Sequence, residues 1–242
     1  MAEQGDTAEA NEARSALAAF ERKELRVRTD RVATTAGGAR LHVETRNVER
    51  LSFKAYAIDL AAYFARFGCL TSVDQVVTEI VEPDLAWEAA VDGYRPYRLL
   101  ARDLPLERLA GPGGWLVEIE SDSGRAKAFV VTSDLVLVTK HSPRQVLAWG
   151  GDRAADAPAA GGDVKLSDGS RLVAAGKTGE DGIWVAELER PLATPRVLAV
   201  RGKHVAASGA DVGTAEGAGY RPQGVLFTDR PLYRPGAEVA FK

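Results

Sequence analysis

One cysteine and three histidines in 242 residues leave little material for disulfides, metal centres or thiol chemistry. Cys69 stands alone, so no intrachain disulfide can form and the redox compartment stays open. His42, His141 and His204 lie far apart, without the His/His or Cys/His spacing of a zinc site, and read as ordinary strand or surface residues. Charge of one sign is also missing. The 31 Lys and Arg against 34 Asp and Glu leave a net charge of −3, which gives no reason to expect nucleic acid or an anionic membrane as partner. No run approaches the roughly 18 apolar residues of a membrane helix. The first basic residue is Arg14 and no apolar core follows Met1, so no signal peptide is readable. A Gly-x-Ser-x-Gly elbow is absent, and the glycines of 111–114 lead into a strand without the Gly-Lys-Ser/Thr of a phosphate loop. No cofactor is called for, and the expectation is a protein that is not an enzyme.

What is present is a dense series of short alternating runs. Hydrophobic content of 45% with 27% charged residues is that of an ordinary globular chain. Residues 7–23 are expected to form an amphipathic helix capped by Thr7, with Ala10, Ala13, Leu17 and Phe20 on one stripe. From Leu25 the period drops to two, through 25–28, 41–45 and 51–58, as in half-buried antiparallel strands. Asp59 and Gly68 bracket a short helix over 60–67. Residues 73–81 fit neither period cleanly, and 85–91 reads as a further strand or edge. Strands over 115–120 and 126–132 are expected to pair around Asp122, Ser123 and Gly124.

Beyond Asp134 come strands at 135–138, 146–149, 163–166, 171–174, 183–188, 196–200 and 203–206, broken by Asp168-Gly169 and Asp181-Gly182 turns. That density of strands and turn signals predicts a β-sandwich. The expected organisation is an N-terminal helix and linker over 1–24, a first sandwich with a helical insert over 25–131, and a second over 132–206. A Gly/Ala-rich linker over 207–219 and the start of a further domain over 220–242 complete it.

The C-terminal stretch carries the most specific signal. Thr228, Asp229, Arg230, Pro231, Leu232, Tyr233, Arg234, Pro235 and Gly236 follow a β-branched run and precede an alternating one. This resembles the Thr-Asp-Arg-Pro-[Ile/Leu]-Tyr-Arg-Pro-Gly entry into a macroglobulin-type domain of the bacterial alpha-2-macroglobulin family. Residues 45–59, 113–118, 131–135 and 177–182 resemble other strands of such domains with less specificity, so the likeness covers roughly 25–242. The resemblance implies an all-β fold of tandem fibronectin- or immunoglobulin-like antiparallel sandwiches, taken from the front of a longer polypeptide. It also implies a structural part of an endopeptidase inhibitor that traps proteases after a bait segment is cut. Its partners would be the remaining domains of its own chain and, through the whole protein, proteases, in the periplasm or at the cell surface. The family's thioester sequence, Cys-x-Glu-Gln, does not fit Cys69, which Leu70, Thr71 and Ser72 follow; no thioester and no bait are visible, so the chain alone is expected to inhibit nothing.

Other chemistry is weaker. Asp134, Asp168 and Asp181 are conceivable calcium ligands, but Asp168 and Asp181 precede glycine at turns, the commoner reason for Asp there. Trp115, Trp149 and Trp184 sit in apolar strand runs and are expected in the core. Trp87, beside Tyr94 and Tyr97, is the tryptophan with a case for a surface role, which would suit the alternative reading, an adhesin-like sandwich contacting carbohydrate or protein. Arg230 and Arg234, near Asp229 and Glu238, are expected to fix turn geometry rather than to form a site.

Overall fold

The computed structural model describes residues 8–208, except 30, 31 and 72. The N-terminal helix α1 (Ala8–Glu21) is followed by β1 (Glu24–Thr29), β2 (Arg40–Arg46) and β3 (Arg50–Ile58), then the short helix α2 (Leu60–Phe67). After a single 3₁₀ turn at Val73–Gln75 come β4 (Leu85–Ala90) and β5 (Leu100–Pro105). The long hairpin β6 (Gly113–Ser121) and β7 (Gly124–Thr132) turns at Asp122 and Ser123. The remaining strands are β8 (Leu135–Ser142), β9 (Gln145–Asp152), β10 (Ala157–Pro158), β11 (Asp163–Ser167) and β12 (Leu172–Lys177). They end with β13 (Ile183–Glu187), β14 (Arg196–Arg201) and β15 (His204–Ser208).

These strands build four sheets. Every ladder is antiparallel, and one isolated parallel bridge joins Ala33 to Thr132. Residues 24–132 supply a three-stranded sheet, β1-β2-β5, and a four-stranded sheet, β4-β3-β6-β7. Their facing sides alternate as period-two burial requires. Leu41 and Val43 of β2 meet Leu51, Phe53 and Ala55 of β3, with Val117 and Ile119 of β6. Residues 135–208 supply a sheet of β8, β9, β10 and β13 and a second in the order β12-β11-β14-β15. Val146, Ala148, Val164, Leu166 and Val197 fill the space between these two. The result is two antiparallel sandwiches in tandem with a short N-terminal helix, as the strand spacing predicts.

Several details depart from expectation. α1 forms, but its stripe is not buried: Leu17 and Phe20 are 57% and 58% exposed. The helix is held at its C-terminal end instead, where Asn47 Nδ2 donates to the Phe20 carbonyl at 2.6 Å and Arg46 donates to the Ala19 carbonyl at 3.2 Å. β5 has no counterpart in the sequence reading, because Leu100-Ala-Arg-Asp-Leu-Pro105 offers too few apolar residues to show a period of two. β15 runs to Ser208, two residues beyond the strand expected over 203–206.

Trp184 meets the expectation of core placement, lying against Val146 and its neighbours. Gly176 of β12 makes room for it, because a Cβ there would collide with the Trp184 indole. Gly176→Ala should therefore cost about 1–3 kcal/mol, the usual range for an overpacked core. Chemical denaturation is the measurement: the midpoint falls with the slope unchanged, whereas an unaltered midpoint would mean that the indole swings clear.

Candidate functional site: the seam between the sandwiches

Asp59 takes an extended conformation and its Oδ1 accepts the Ala62 N–H at 2.9 Å, so α2 starts there. Gly68, at φ 68°, ends it in the left-handed conformation and donates its N–H to the Phe64 carbonyl. Between these caps α2 carries Leu60 and Phe64, one turn apart and both buried. Leu60 and Phe64 pack with Ile58, Phe129 and Val131 on the outer side of the β4-β3-β6-β7 sheet. The same cluster contains Leu198, Val200, Val205 and Ala207, which lie on the outer side of the β12-β11-β14-β15 sheet. The insert is thus a two-sided wedge, with each sandwich covering one flank.

Polar contacts fix the register of this seam. Ala33 donates to the Val131 carbonyl at 2.9 Å and accepts from the Ser133 N–H at 2.8 Å. Ser133 Oγ, fully buried, accepts the N–H groups of Leu135 and Val205, each at 3.1 Å. The Asp134 carboxylate accepts the Thr35 N–H at 3.0 Å and the Thr35 hydroxyl. The Asp134 N–H in turn donates to His204 Nδ1 at 3.0 Å. Across the wedge, Lys165 Nζ donates to the Ala61 carbonyl at 3.0 Å. Net hydrogen bonds contribute about 1 kcal/mol each. Burial of a large apolar side chain contributes about 1.5–3 kcal/mol, so the apolar wedge carries most of the energy and the polar contacts set geometry.

The residues singled out from the sequence do not converge on a reactive centre. Asp134 serves the seam. Asp168 closes its own turn, accepting from the Ser170 N–H and hydroxyl, the Arg171 N–H and the Arg171 guanidinium. These donors, the Ser170 and Arg171 backbone N–H groups above all, hold its carboxyl well below the usual carboxylate range. Asp181 Oδ1 accepts the Ile183 N–H at 2.9 Å. His42 pairs with Asp103 at 2.8 Å, His141 is exposed on β8, and His204 sits at the seam. Cys69 Sγ lies 3.0 Å from the Thr71 hydroxyl. Among the described residues, no three His, Cys, Asp or Glu side chains gather as a metal would require.

Two tryptophans depart from expectation. Trp87 stacks on Phe53, ring centroids 4.9 Å apart and 3° from parallel, and packs against the first core. Its inward direction separates it from Tyr94 and Tyr97, which line a cleft with Glu49, Glu88 and Glu120. Trp149, expected inside, lies on the outer side of β9, since Val146 and Ala148 take the inward positions. The motif Thr228, Asp229, Arg230, Pro231, Tyr233, Arg234, Pro235 and Gly236 lies outside the described residues, as does the ion-pair arrangement around Arg230 and Arg234.

Two measurements test this geometry. A Cβ on Gly68 would lie 2.6 Å from the Ser170 carbonyl carbon and 2.7 Å from the Arg171 nitrogen, both backbone atoms of the second sandwich. Gly68→Ala should therefore prise the seam apart and lower stability by about 2 kcal/mol or more, combining clash with an unfavourable positive φ; retained stability with unchanged amide exchange at Leu198 would contradict the wedge. For Asp168 the folded pKa is depressed, so its stabilising contribution is complete above the ordinary carboxylate value of about 4 and is lost as pH falls through the lower folded value. Asp168→Asn should remove that part of the acid dependence, and an NMR titration should place the Asp168 inflection below the ordinary aspartate value of about 4.

Comparison with known proteins follows the geometry. No family model matches the sequence. An alpha-2-macroglobulin from Ralstonia nicotianae is 30% identical over 173 residues, covering 66% of this chain and 10% of that protein. The chain therefore spans about a tenth of the length of this curated relative. Among solved structures, an Escherichia coli alpha-2-macroglobulin fragment spanning domains NIE-MG1 superposes with a TM-score of 0.58 at 13% identity, over 78% of this chain and 97% of that one. A Salmonella alpha-2-macroglobulin matches with a TM-score of 0.53 at 14% identity, over 76% of this chain and 12% of that one. Sequence relationship, tandem antiparallel sandwiches and extent of overlap agree: the chain belongs to the bacterial alpha-2-macroglobulin family.

Proposed function

We infer that this chain is a structural, non-catalytic portion of a bacterial endopeptidase inhibitor that entraps proteases after its bait segment is cut. The observation that carries the reading is the 30% identity over 173 residues to an alpha-2-macroglobulin, joined to a fold built for rigidity rather than chemistry. The two sandwiches, divided at about residue 132, correspond in this reading to the NIE-MG1 pair of the Escherichia coli fragment. Their function is to hold a fixed relative orientation at the front of the trap, and the α2 wedge supplies it. Proteases are partners of the whole polypeptide, at the cell surface or in the periplasm; this portion contacts the other domains of its own chain.

The purified chain should leave proteases fully active on a large protein substrate at any molar ratio. Stoichiometric loss of cleavage would show instead that these sandwiches block an active site directly. Retained inhibition of large substrates, but not small ones, by the complete polypeptide would support entrapment.

A further inference from the structure

The four sheets differ in what their outer sides present. On β1-β2-β5 that side is a ladder of charge, with Arg28 paired to Glu44 at 2.6 Å and His42 to Asp103 at 2.8 Å. On β4-β3-β6-β7, away from the wedge, Lys54 and Arg125 hold Glu120 at 3.1 and 2.8 Å. The outer side of β12-β11-β14-β15 is apolar along β14 and β15, and α2 covers it. The outer side of the sheet containing β8, β9 and β13 carries an apolar patch as well, bordered by Ser142, Gln145 and Glu187, yet that patch is open to solvent.

The pleat defines this open face. Leu137, Ala148 and Trp184 point into the second core, so their neighbours point away. Val138, Trp149 and Ile183 are register partners and form one row across the three strands; Lys140, Leu147 and Val185 form the next. Five of these six side chains are apolar. Val138, Ile183 and Val185 are 51%, 36% and 46% exposed. Two glycines seat the central tryptophan: a Cβ on Gly151 would collide with the Trp149 ring, and one on Gly182 would come within 3.3 Å of its Nε1. The indole thus lies down on the sheet beside Gly151 and forms a flat, uncharged platform.

We propose that this β8-β9-β13 face is a docking surface for an uncharged, apolar face of another domain on the same polypeptide, covered as α2 covers the β14-β15 face. Three considerations select that occupant. The platform carries one charge, Lys140, so a strongly charged partner gains nothing there and would be desolvated at a cost. Three strands about 4.8 Å apart and three residues long present on the order of 150 Å², far below the roughly 800 Å² per partner of a free, specific complex. A contact that small holds when its partner is tethered and its effective concentration is high, which excludes a second copy as the occupant. The relative in Ralstonia nicotianae extends far beyond the matched tenth, so tethered neighbours are at hand in a protein of that length. This inference needs a longer polypeptide but not protease entrapment, so it stands or falls separately from the function proposed above.

Thiol labelling tests it. In a Cys69→Ser background, Val138→Cys is placed on the platform and Arg26→Cys on the charged outer side of β1, both in the 242-residue chain and in the complete polypeptide of its reading frame. Both cysteines should label at similar rates in the shorter protein, independently of its concentration. In the complete polypeptide, labelling at position 138 should slow at least tenfold while position 26 is unchanged. Equal rates at 138 in the two proteins overturn the proposal, as does a reading frame with no further domain. Protection that grows with concentration in the shorter chain would give the face to a second copy, and concentration-independent protection there would give it to residues 209–242; either result overturns it too.

Discussion

Burial of the α2 wedge on both of its flanks is the constraint on which the arrangement of this molecule depends. Leu60 and Phe64 close the outer side of one sheet through Phe129 and Val131, and close another through Leu198 and Val200. Neither sandwich could expose those residues without presenting a contiguous apolar patch to water. Gly68 then lets the chain leave the helix against the backbone of the second sandwich, where a side chain has no room. The connection from Thr132 to Leu135 adds no slack, since Ser133 and Asp134 are buried and engaged on both sides. Contacts of this kind predict that the two sandwiches move as one body, unlike the mobile neighbours that short, wet interfaces produce.

Much of this was legible in the sequence, and the reasons are physical. α2 was legible to the residue, because Asp59 and Gly68 are capping residues with local geometry. Hairpin β6-β7 was legible for a similar reason, its turn lying between two alternating runs. The seam was not legible. Leu60 and Leu198 are 138 positions apart and each reads simply as an apolar residue in its own element. Nor was the direction of Trp149: in β8 and β9 apolar residues occupy both sides of the sheet, so alternation no longer distinguishes inward from outward. That failure is informative, since a strand apolar on both sides is a strand with something to cover.

The candidate chemistry resolves into structure in the same manner. Asp168 and Asp181 each spend their carboxylate oxygens on backbone N–H groups two or three residues on, the arrangement that turns favour, and Asp134 spends its own on the distant Thr35. Trp87 is consumed by its stack on Phe53. What these side chains do is hold backbone within and between the two sandwiches.

The most direct measurement of the central claim is the relative orientation of the two sandwiches in solution, from residual dipolar couplings of backbone amides. A rigid seam predicts that couplings from 24–132 and from 135–208 fit a single alignment tensor in the orientation seen here. Two tensors of different magnitude, or couplings in one half scaled down relative to the other, would show independent domains and contradict the wedge.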